Sequence, residues 1–108
     1  MCANAVHKPE PNGTIDTRTA TAVADRFKIL ADPTRVRLLS VLSDRELCVS
    51  ELTTLLDMEQ SAVSHQLRTL RGLKLVRHRK VGRQVYYRLN DRHIKELLSN
   101  SLAHIQTI

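Results

Sequence analysis

Apolar residues recur every three or four positions in five stretches of the chain, and each stretch predicts an amphipathic helix. The first covers about 16–31, and the second begins at Pro33, which suits a first helical turn. The third is short and follows Cys48, the fourth covers about 59–73, and the last begins near Asp91. The predicted inward positions are, helix by helix, Ala20, Val23, Phe27 and Leu30; Val36, Leu39 and Leu42; Leu52, Leu55 and Leu56; Val63, Leu67 and Leu70; and Ile94, Leu97, Leu98, Leu102 and Ile105.

The apolar period changes from helical to alternating after Gly72. In "LVRHRKVGRQVYYRL", apolar and polar residues alternate, with Val85 and Leu89 on the same predicted face as Tyr87. The segment Lys80–Arg83, which contains Gly82, predicts the turn of a β-hairpin.

Two short helices joined by "DMEQ", the second followed by a hairpin, are typical of a winged helix-turn-helix. The predicted fold class is therefore mainly α with a small β-hairpin. Residues 1–15 contain Pro9, Pro11 and Gly13 and predict a flexible N-terminal arm. Residues 16–108 form the predicted winged helix-turn-helix domain and its C-terminal helix.

The positive charge of the chain is concentrated in one segment. The whole chain carries a net charge of +6, whereas residues 59–90 contain eight basic residues and one acid and carry +7. This concentration is expected of a surface that binds a polyanion such as DNA. A solvated basic face on an ordinary domain is the alternative.

Composition excludes several other classes of protein. No run approaches the roughly 18 apolar residues of a membrane span, and "MCANAVHKPEPNGT" lacks a secretion signal. We therefore expect a cytoplasmic protein without a membrane partner, in which Cys2 and Cys48 are reduced or metal-bound. An enzyme is not expected, because the sequence shows no nucleophile–base grouping and no phosphate-binding glycine loop.

Short hydrogen-bonding side chains cluster on the outer face of the fourth helix. Such side chains can meet base edges in a major groove, and basic residues at the hairpin tip can reach phosphate or a minor groove. The candidate DNA-binding residues are Gln60, Ser61, Ser64, His65 and Arg68 on the helix and Arg79, Lys80 and Arg83 at the predicted hairpin tip.

The segments "LADPTRVRLLSVL", "ELCVSEL", "MEQSAVSHQLRTLRGLKLV" and "GRQVYYRL" closely resemble the ArsR/SmtB family of metal-responsive bacterial repressors. The resemblance runs from about residue 20 to residue 105. It implies a homodimer, formed through the N- and C-terminal helices, that binds operator DNA without metal and releases it when metal binds.

The last helix carries candidate metal ligands at both ends. His104 follows His93 by 11 residues, or about 16 Å of helix, so one helix cannot place both on a single ion. Two antiparallel copies can form two identical sites, each using Asp91 and His93 from one chain and His104 from its mate. Alternatively, Asp91 is an N-cap, His93 is a surface residue and His104 interacts with the helix dipole.

The resemblance implies an interhelical zinc site at these same three residues, Asp91, His93 and His104. The family's fourth ligand lies three residues after the last histidine, where this chain has Thr107, a poor zinc ligand. Water or the carboxylate of Ile108 would then complete the coordination.

The resemblance also implies a second site, because some family members bind metal between a cysteine of the third helix and an N-terminal arm. The matching residues are Cys2, His7, Cys48 and Glu51. Thiolates favour Zn²⁺, Cd²⁺, Pb²⁺ or Cu⁺. Zn²⁺ is the ion expected overall. As an alternative to metal binding, Cys48 is simply a small buried residue.

Two rival hypotheses keep DNA binding without metal control. In one, Cys2 and Cys48 form a thiol-redox switch. In the other, the chain binds DNA without any effector.

Overall fold

The computed structural model describes residues 13–106, which form two compact units divided between Asp32 and Pro33. Both predicted element types, helices and a hairpin, are present in this range. The elements are α1 Thr17–Leu30, α2 Pro33–Val41, β1 Leu47–Cys48, α3 Val49–Leu56, α4 Gln60–Gly72, β2 Val76–Val81, β3 Gln84–Leu89 and α5 Arg92–Gln106. No helix in the described range is both long enough and apolar enough to cross a bilayer.

The first unit contains α1, whose predicted span is confirmed to within a residue at each end. Asp16 caps the helix, since its Oδ1 accepts a hydrogen bond from the backbone N–H of Thr19 at 2.7 Å. Val23 and Phe27 lie on the predicted apolar face, yet their exposed fractions are 45% and 55%. The single chain therefore leaves much of this face accessible.

The core of the second unit is almost entirely leucine and valine. Its members come from α2, β1, α3, α4, β2 and α5, and no polar side chain among the described residues is buried. The fully buried side chains are Leu38, Leu39, Leu42, Leu52, Val63, Leu67, Leu70 and Leu75. The prediction for α4 is confirmed, because its whole apolar stripe is buried.

One prediction for the core is wrong, because Leu55 of α3 is not buried. Leu52 and Leu56 are four positions apart and both are buried, whereas Leu55 is 47% exposed. Adjacent helical positions are turned about 100° from each other, so Leu55 cannot share the inward direction of Leu56. The inward face of this eight-residue helix is already filled by the other two leucines.

The three strands form an antiparallel sheet in the order β1-β3-β2. Strand β1 was not predicted, because two residues are too few to show alternation. Leu47 of β1 lies opposite Tyr87 of β3, and this pairing joins the hairpin to the segment that leads into α3. The hairpin therefore extends outward from the helix-turn-helix as its wing.

The hairpin turn is shorter than the predicted Lys80–Arg83. Strand β2 continues to Val81, which pairs with Gln84, so only Gly82 and Arg83 form the turn. Gly82 has a φ of +62°, which matches the first position of a type II′ turn. Lys80 is consequently a strand residue opposite Val85 rather than a turn residue.

Helix α5 divides its predicted apolar stripe between two environments. Ile94 and Leu98 are buried within the chain, where α5 packs against α2. Leu102 and Ile105 have exposed fractions of 42% and 66%. The predicted inward positions of Ile94 and Leu98 are therefore confirmed, whereas Leu102 and Ile105 are left accessible by the chain.

Candidate DNA-reading surface and metal ligands

The helix-turn-helix consists of α3, the residues 57–59 and α4. Helix α3 ends at Asp57, which adopts a left-handed conformation with a φ of +52° and donates its N–H to the Thr53 carbonyl. The N-cap of α4 is Glu59, whose carbonyl accepts the Val63 N–H at 3.1 Å. This tight connection fixes the direction in which α4 leaves the core.

The outer face of α4 carries the predicted base-reading residues. Val63, Leu67 and Leu70 are buried, so the opposite face must point outward. The predicted residues Gln60, Ser61, His65 and Arg68 are exposed, and Ser64 is half-buried. These positions are consistent with the predicted outward face of α4.

A side-chain hydrogen bond ties α4 to α2. The Nε of Arg35 donates to Oε1 of Gln66 at 3.4 Å, and Gln66 lies at the margin between the buried and exposed faces of α4. Together with the buried leucines, this contact fixes the rotation of α4 about its axis. Neither residue is among the candidates predicted from the sequence.

The wing does not present all its predicted cations at its tip. Arg83 lies in the turn, Lys80 lies in β2, and Arg79 lies further down β2, opposite Tyr86. The prediction that placed Arg79 and Lys80 at the tip is wrong, because the strands continue past both residues. Arg83 alone of the three occupies the turn.

Arg79 is paired with Glu46, which is not among the candidate residues predicted from the sequence. Its Nε and Nη2 donate to the two carboxylate oxygens of Glu46 at 2.7 and 2.8 Å. The hydrogen bond from Arg79 lowers the pKa of the Glu46 carboxyl, and the nearby Arg88 and Arg77 lower it further. The same hydrogen bond raises the pKa of the Arg79 guanidinium. Since the two residues are 33 positions apart, no short sequence motif connects them.

Cys48 and Glu51 are brought together at the start of α3. Cys48 is the N-cap residue and is buried, with an exposed fraction of 5%, and its Sγ lies 3.2 Å from Oγ of Ser50. Oε1 of Glu51 accepts the Cys48 backbone N–H at 3.0 Å, and this bond lowers the pKa of the Glu51 carboxyl. The carboxylate therefore stabilises the first turn of α3, at whose start the Cys48 thiol also lies.

Asp91, His93 and His104 occupy the two ends of α5. Oδ1 of Asp91 accepts the backbone N–H groups of His93 and Ile94 at 2.9 and 3.1 Å, so Asp91 caps the helix. Both histidines are exposed, and the helix places them about 16 Å apart along its axis. Among residues 13–106 of the single chain, no three His, Cys, Asp or Glu side chains lie close enough to share a metal ion.

Four residues of the predicted metal chemistry lie outside the described residues. These are Cys2 and His7 of the arm site, and Thr107 and Ile108 beyond the end of α5.

Comparison with known proteins identifies the class of regulator. A family model described as "Bacterial regulatory protein, arsR family" matches residues 32–78, which extend from the start of α2 into β2. The chain is 48% identical over 87 residues to the transcriptional repressor SmtB homolog of Synechocystis, an alignment that covers 81% of this chain and 66% of that protein.

Two further relatives are matched over most of their own length. The chain is 42% identical over 94 residues to the HTH-type transcriptional regulator NmtR of Mycobacterium tuberculosis, covering 87% of this chain and 78% of that protein. The crystal structure of the AntR antimony-specific transcriptional repressor superposes with a TM-score of 0.80 at 31% identity, covering 94% of this chain and 96% of that one. The chain belongs to the ArsR/SmtB family of winged-helix, DNA-binding transcriptional regulators, which are not enzymes.

Proposed function

We propose that the chain is a metal-responsive repressor whose homodimer binds operator DNA without metal and releases it on binding an ion of the zinc, cadmium or lead type. The observation that carries this proposal is the placement of Asp91 and His93 at one end of α5 and His104 at the other. An exposed apolar surface, at Leu102 and Ile105, lies on the same helix. We place the protein in the cytoplasm, without a membrane partner.

In this proposal α4 reads base edges and the wing contacts the backbone. The exposed polar side chains Gln60, Ser61 and His65 lie in the first two turns of α4, and Arg68 continues the same face. Such side chains form hydrogen bonds to base edges, whereas cations of the wing supply affinity through phosphate. Arg83 is the wing cation best placed for phosphate, because it lies in the turn and has no ion-pair partner among the described residues.

The proposed dimer joins the terminal helices of two copies, with the two α5 helices antiparallel. The exposed side chains of Leu102 and Ile105 on α5 and of Val23 and Phe27 on α1 supply apolar area for this contact. Antiparallel pairing brings Asp91 and His93 of one copy near His104 of the other. Two equivalent sites follow from the twofold symmetry, and zinc suits their nitrogen and oxygen ligands.

The Asp91 cap is compatible with this role. The contacts to the backbone of His93 and Ile94 both involve Oδ1, and they orient the carboxylate at the start of the helix. Hydrogen bonds of this kind fix a ligating carboxylate and so favour metal binding.

A second proposed site centres on Cys48, with Glu51 beside it and Cys2 and His7 supplied by the arm. Thiolate ligands select soft or borderline ions. A CadC homolog of Staphylococcus aureus, named as a cadmium resistance regulatory protein, is 41% identical over 83 residues. The names of this relative and of AntR refer to cadmium and antimony, both of which suit sulfur ligands.

Metal would control DNA binding through the spacing of the two α4 helices. Dimeric helix-turn-helix proteins fit half-sites about 34–36 Å apart, so a change in dimer orientation changes the fit. An ion that binds one orientation better than the other shifts the population. Moving the equilibrium from 99:1 to 1:99 requires about 5.5 kcal/mol of differential binding.

The test is an operator-binding titration against Zn, Cd, Pb, Cu, Ni and Co, using the wild type, His104→Ala and Cys48→Ser. Asn100→Ala is the matched control, because it removes an exposed polar side chain one turn from His104 on the same helix. If the α5 site regulates, the His104→Ala protein stays on DNA when metal is added, whereas the control is released like the wild type. If the arm site regulates, the Cys48→Ser protein stays bound instead.

The same titration separates the rival functions. Release by an oxidant, abolished in Cys48→Ser and independent of every metal, would establish the thiol-redox switch. Operator affinity unchanged by all six metals and by oxidant would establish an effector-independent DNA-binding protein. Either result would overturn metal control.

A further inference from the structure

The Glu46–Arg79 pair spans the whole wing sheet. Arg79 belongs to β2, whereas Glu46 immediately precedes β1, and β3 lies between these two strands. Two of the three guanidinium nitrogens of Arg79, Nε and Nη2, donate to the two carboxylate oxygens of Glu46 at 2.7 and 2.8 Å. A two-point contact of this kind fixes orientation as well as distance.

The strand register explains why these side chains meet. Arg79 lies opposite Tyr86, and Tyr86 lies opposite Cys48, so these three side chains share one face of the sheet. Glu46 is two positions before Cys48 and therefore points to the same face. The carboxylate reaches across β3 and holds the outer strand of the wing.

Glu46 lies close in sequence to the helix-turn-helix formed by α3 and α4. Cys48 ends β1 and is the N-cap of α3, and α3 packs against α4. Glu46 is thus two residues from the start of the helix-turn-helix. The exposed fraction of the Glu46 side chain is 24%, against 64% for Arg79, so Glu46 is the less exposed partner of the pair.

We infer that Glu46 is a positioning residue for DNA binding, which holds the wing at a fixed angle to α4 through its ion pair with Arg79. This inference rests on the proposed function, because it assigns the pair a role in operator affinity. In this arrangement Arg79 acts within the protein, and Arg83 and Lys80 are the candidate DNA-binding cations of the wing that remain for the DNA backbone.

The inference gives a prediction opposite in sign to that of simple electrostatics. Removing a carboxylate from a DNA-binding surface reduces repulsion of phosphate, and it releases Arg79 to contact DNA. Electrostatics alone therefore predicts that Glu46→Gln binds DNA more tightly. A positioning role predicts weaker binding, because the wing loses its orientation although the protein becomes more positive.

The experiment measures affinity for a duplex selected from a random-sequence library with the wild-type protein, with a scrambled duplex for comparison. The expected result is that Glu46→Gln binds the selected duplex about fivefold more weakly, a change of about 1 kcal/mol at 1.4 kcal/mol per tenfold. The matched control is Asp44→Asn, which removes a nearby carboxylate whose contact with Lys95 is a single exposed pair at 3.4 Å. That control should bind as tightly as the wild type or slightly more tightly.

A double-mutant cycle tests whether the two residues act as a unit. Arg79→Gln should weaken binding to a similar degree. The affinity of the double variant Glu46→Gln/Arg79→Gln should be no lower than the lower of the two single-variant affinities. The exchanged pair, Glu46→Arg with Arg79→Glu, should recover part of the lost affinity. Additive losses, or tighter binding by Glu46→Gln, would overturn the inference.

Amide hydrogen exchange of the DNA-free proteins separates this inference from the proposed function. Glu46→Gln should speed exchange of the β2 amides several-fold and leave those of α4 unchanged, whereas Asp44→Asn should change neither. If the wild type shows no preference for any selected duplex but β2 exchange rises, the regulator function fails while wing positioning stands. Unchanged β2 exchange in Glu46→Gln would refute wing positioning whatever the DNA result.

Discussion

Replacement of Arg83 by glutamine tests both the wing contact and the dimer. Arg83 lies in the hairpin turn, is exposed, and has no ion-pair partner within residues 13–106. It is therefore the wing cation whose charge is most available to a phosphate. Arg79, in contrast, already interacts with Glu46.

The expected magnitude follows from the number of wing tips. Each phosphate contact contributes about −0.9 to the slope of log affinity against log salt. A dimer presents two copies of Arg83, so Arg83→Gln should make the slope shallower by about 1.8, whereas one copy would give about 0.9. Between 50 and 200 mM salt, the variant should then lose about tenfold less affinity than the wild type does.

The assay is fluorescence anisotropy of a labelled selected duplex at several salt concentrations. Arg92→Gln is the matched control, because Arg92 is an exposed arginine on α5, outside the hairpin turn, that pairs with Glu96 at 3.7 Å. Its slope should stay close to that of the wild type. A slope for Arg83→Gln equal to the wild-type slope would refute the phosphate contact, and a change of only about 0.9 would contradict two symmetric wings.

Three predictions concern stability. Asp57→Gly should raise the free energy of unfolding, measured by urea denaturation, by about 1 kcal/mol. Glycine tolerates the φ of +52° at this position, and the substitution also removes an anion from a helix C-terminus. Equal stability of Asp57→Gly and Asp57→Asn would contradict the conformational part of this reasoning. Leu67→Ala should lower the free energy of unfolding by about 2–5 kcal/mol, because the side chain is 1% exposed, whereas Leu55→Ala at the exposed α3 position should cost much less. The pKa of Glu51 is lowered in the folded chain, so its stabilising effect is complete above the unfolded pKa and is lost as the pH falls through the lower folded pKa. Urea denaturation should therefore show Glu51→Gln to be less stable than the wild type at pH 7 and equally stable well below pH 4.5, and a difference that persists at low pH would refute this reasoning.

Much of the fold could be predicted because the helices carry long, regular apolar patterns. Val63, Leu67 and Leu70 repeat at helical spacing, and all three are buried. The apolar pattern does not reveal which neighbour covers each position. Leu98 fits the same stripe as Leu102, but only the first is covered by the chain's own core.

The sheet was predicted less completely because strand pairing is set by contacts distant in sequence. Strand β1 is two residues long, and it exists because Leu47 and Cys48 find partners in β3. For a related reason, the predicted hairpin turn begins two residues earlier in the sequence than the turn in the structure. Charged residues such as Lys80 usually indicate a turn, but cross-strand pairing extends β2 to Val81.

The candidate site, like the fold, could be predicted from the sequence only in part. The exposed face of α4 follows directly from its buried stripe, so its polar residues could be predicted from the sequence. The pairing of Glu46 with Arg79 could not, because it depends on the register of three strands. The sequence offers the Asp91 cap as an alternative to metal binding, and the structure shows that cap at the start of α5.

The most direct test of the central claim is metal binding by a mixed dimer. His93→Ala and His104→Ala chains, each also carrying Cys48→Ser so that the arm site does not bind zinc, would be given different affinity tags and combined. The heterodimer would be purified through both tags. Each homodimer has two incomplete sites, but the heterodimer has one complete site, formed by Asp91 and His93 of the His104→Ala chain and His104 of the His93→Ala chain. We predict that one zinc ion binds per heterodimer with the wild-type affinity, that neither homodimer does so, and that zinc again releases the heterodimer from the selected duplex. A heterodimer that binds zinc no better than the two homodimers would contradict a site shared between two chains.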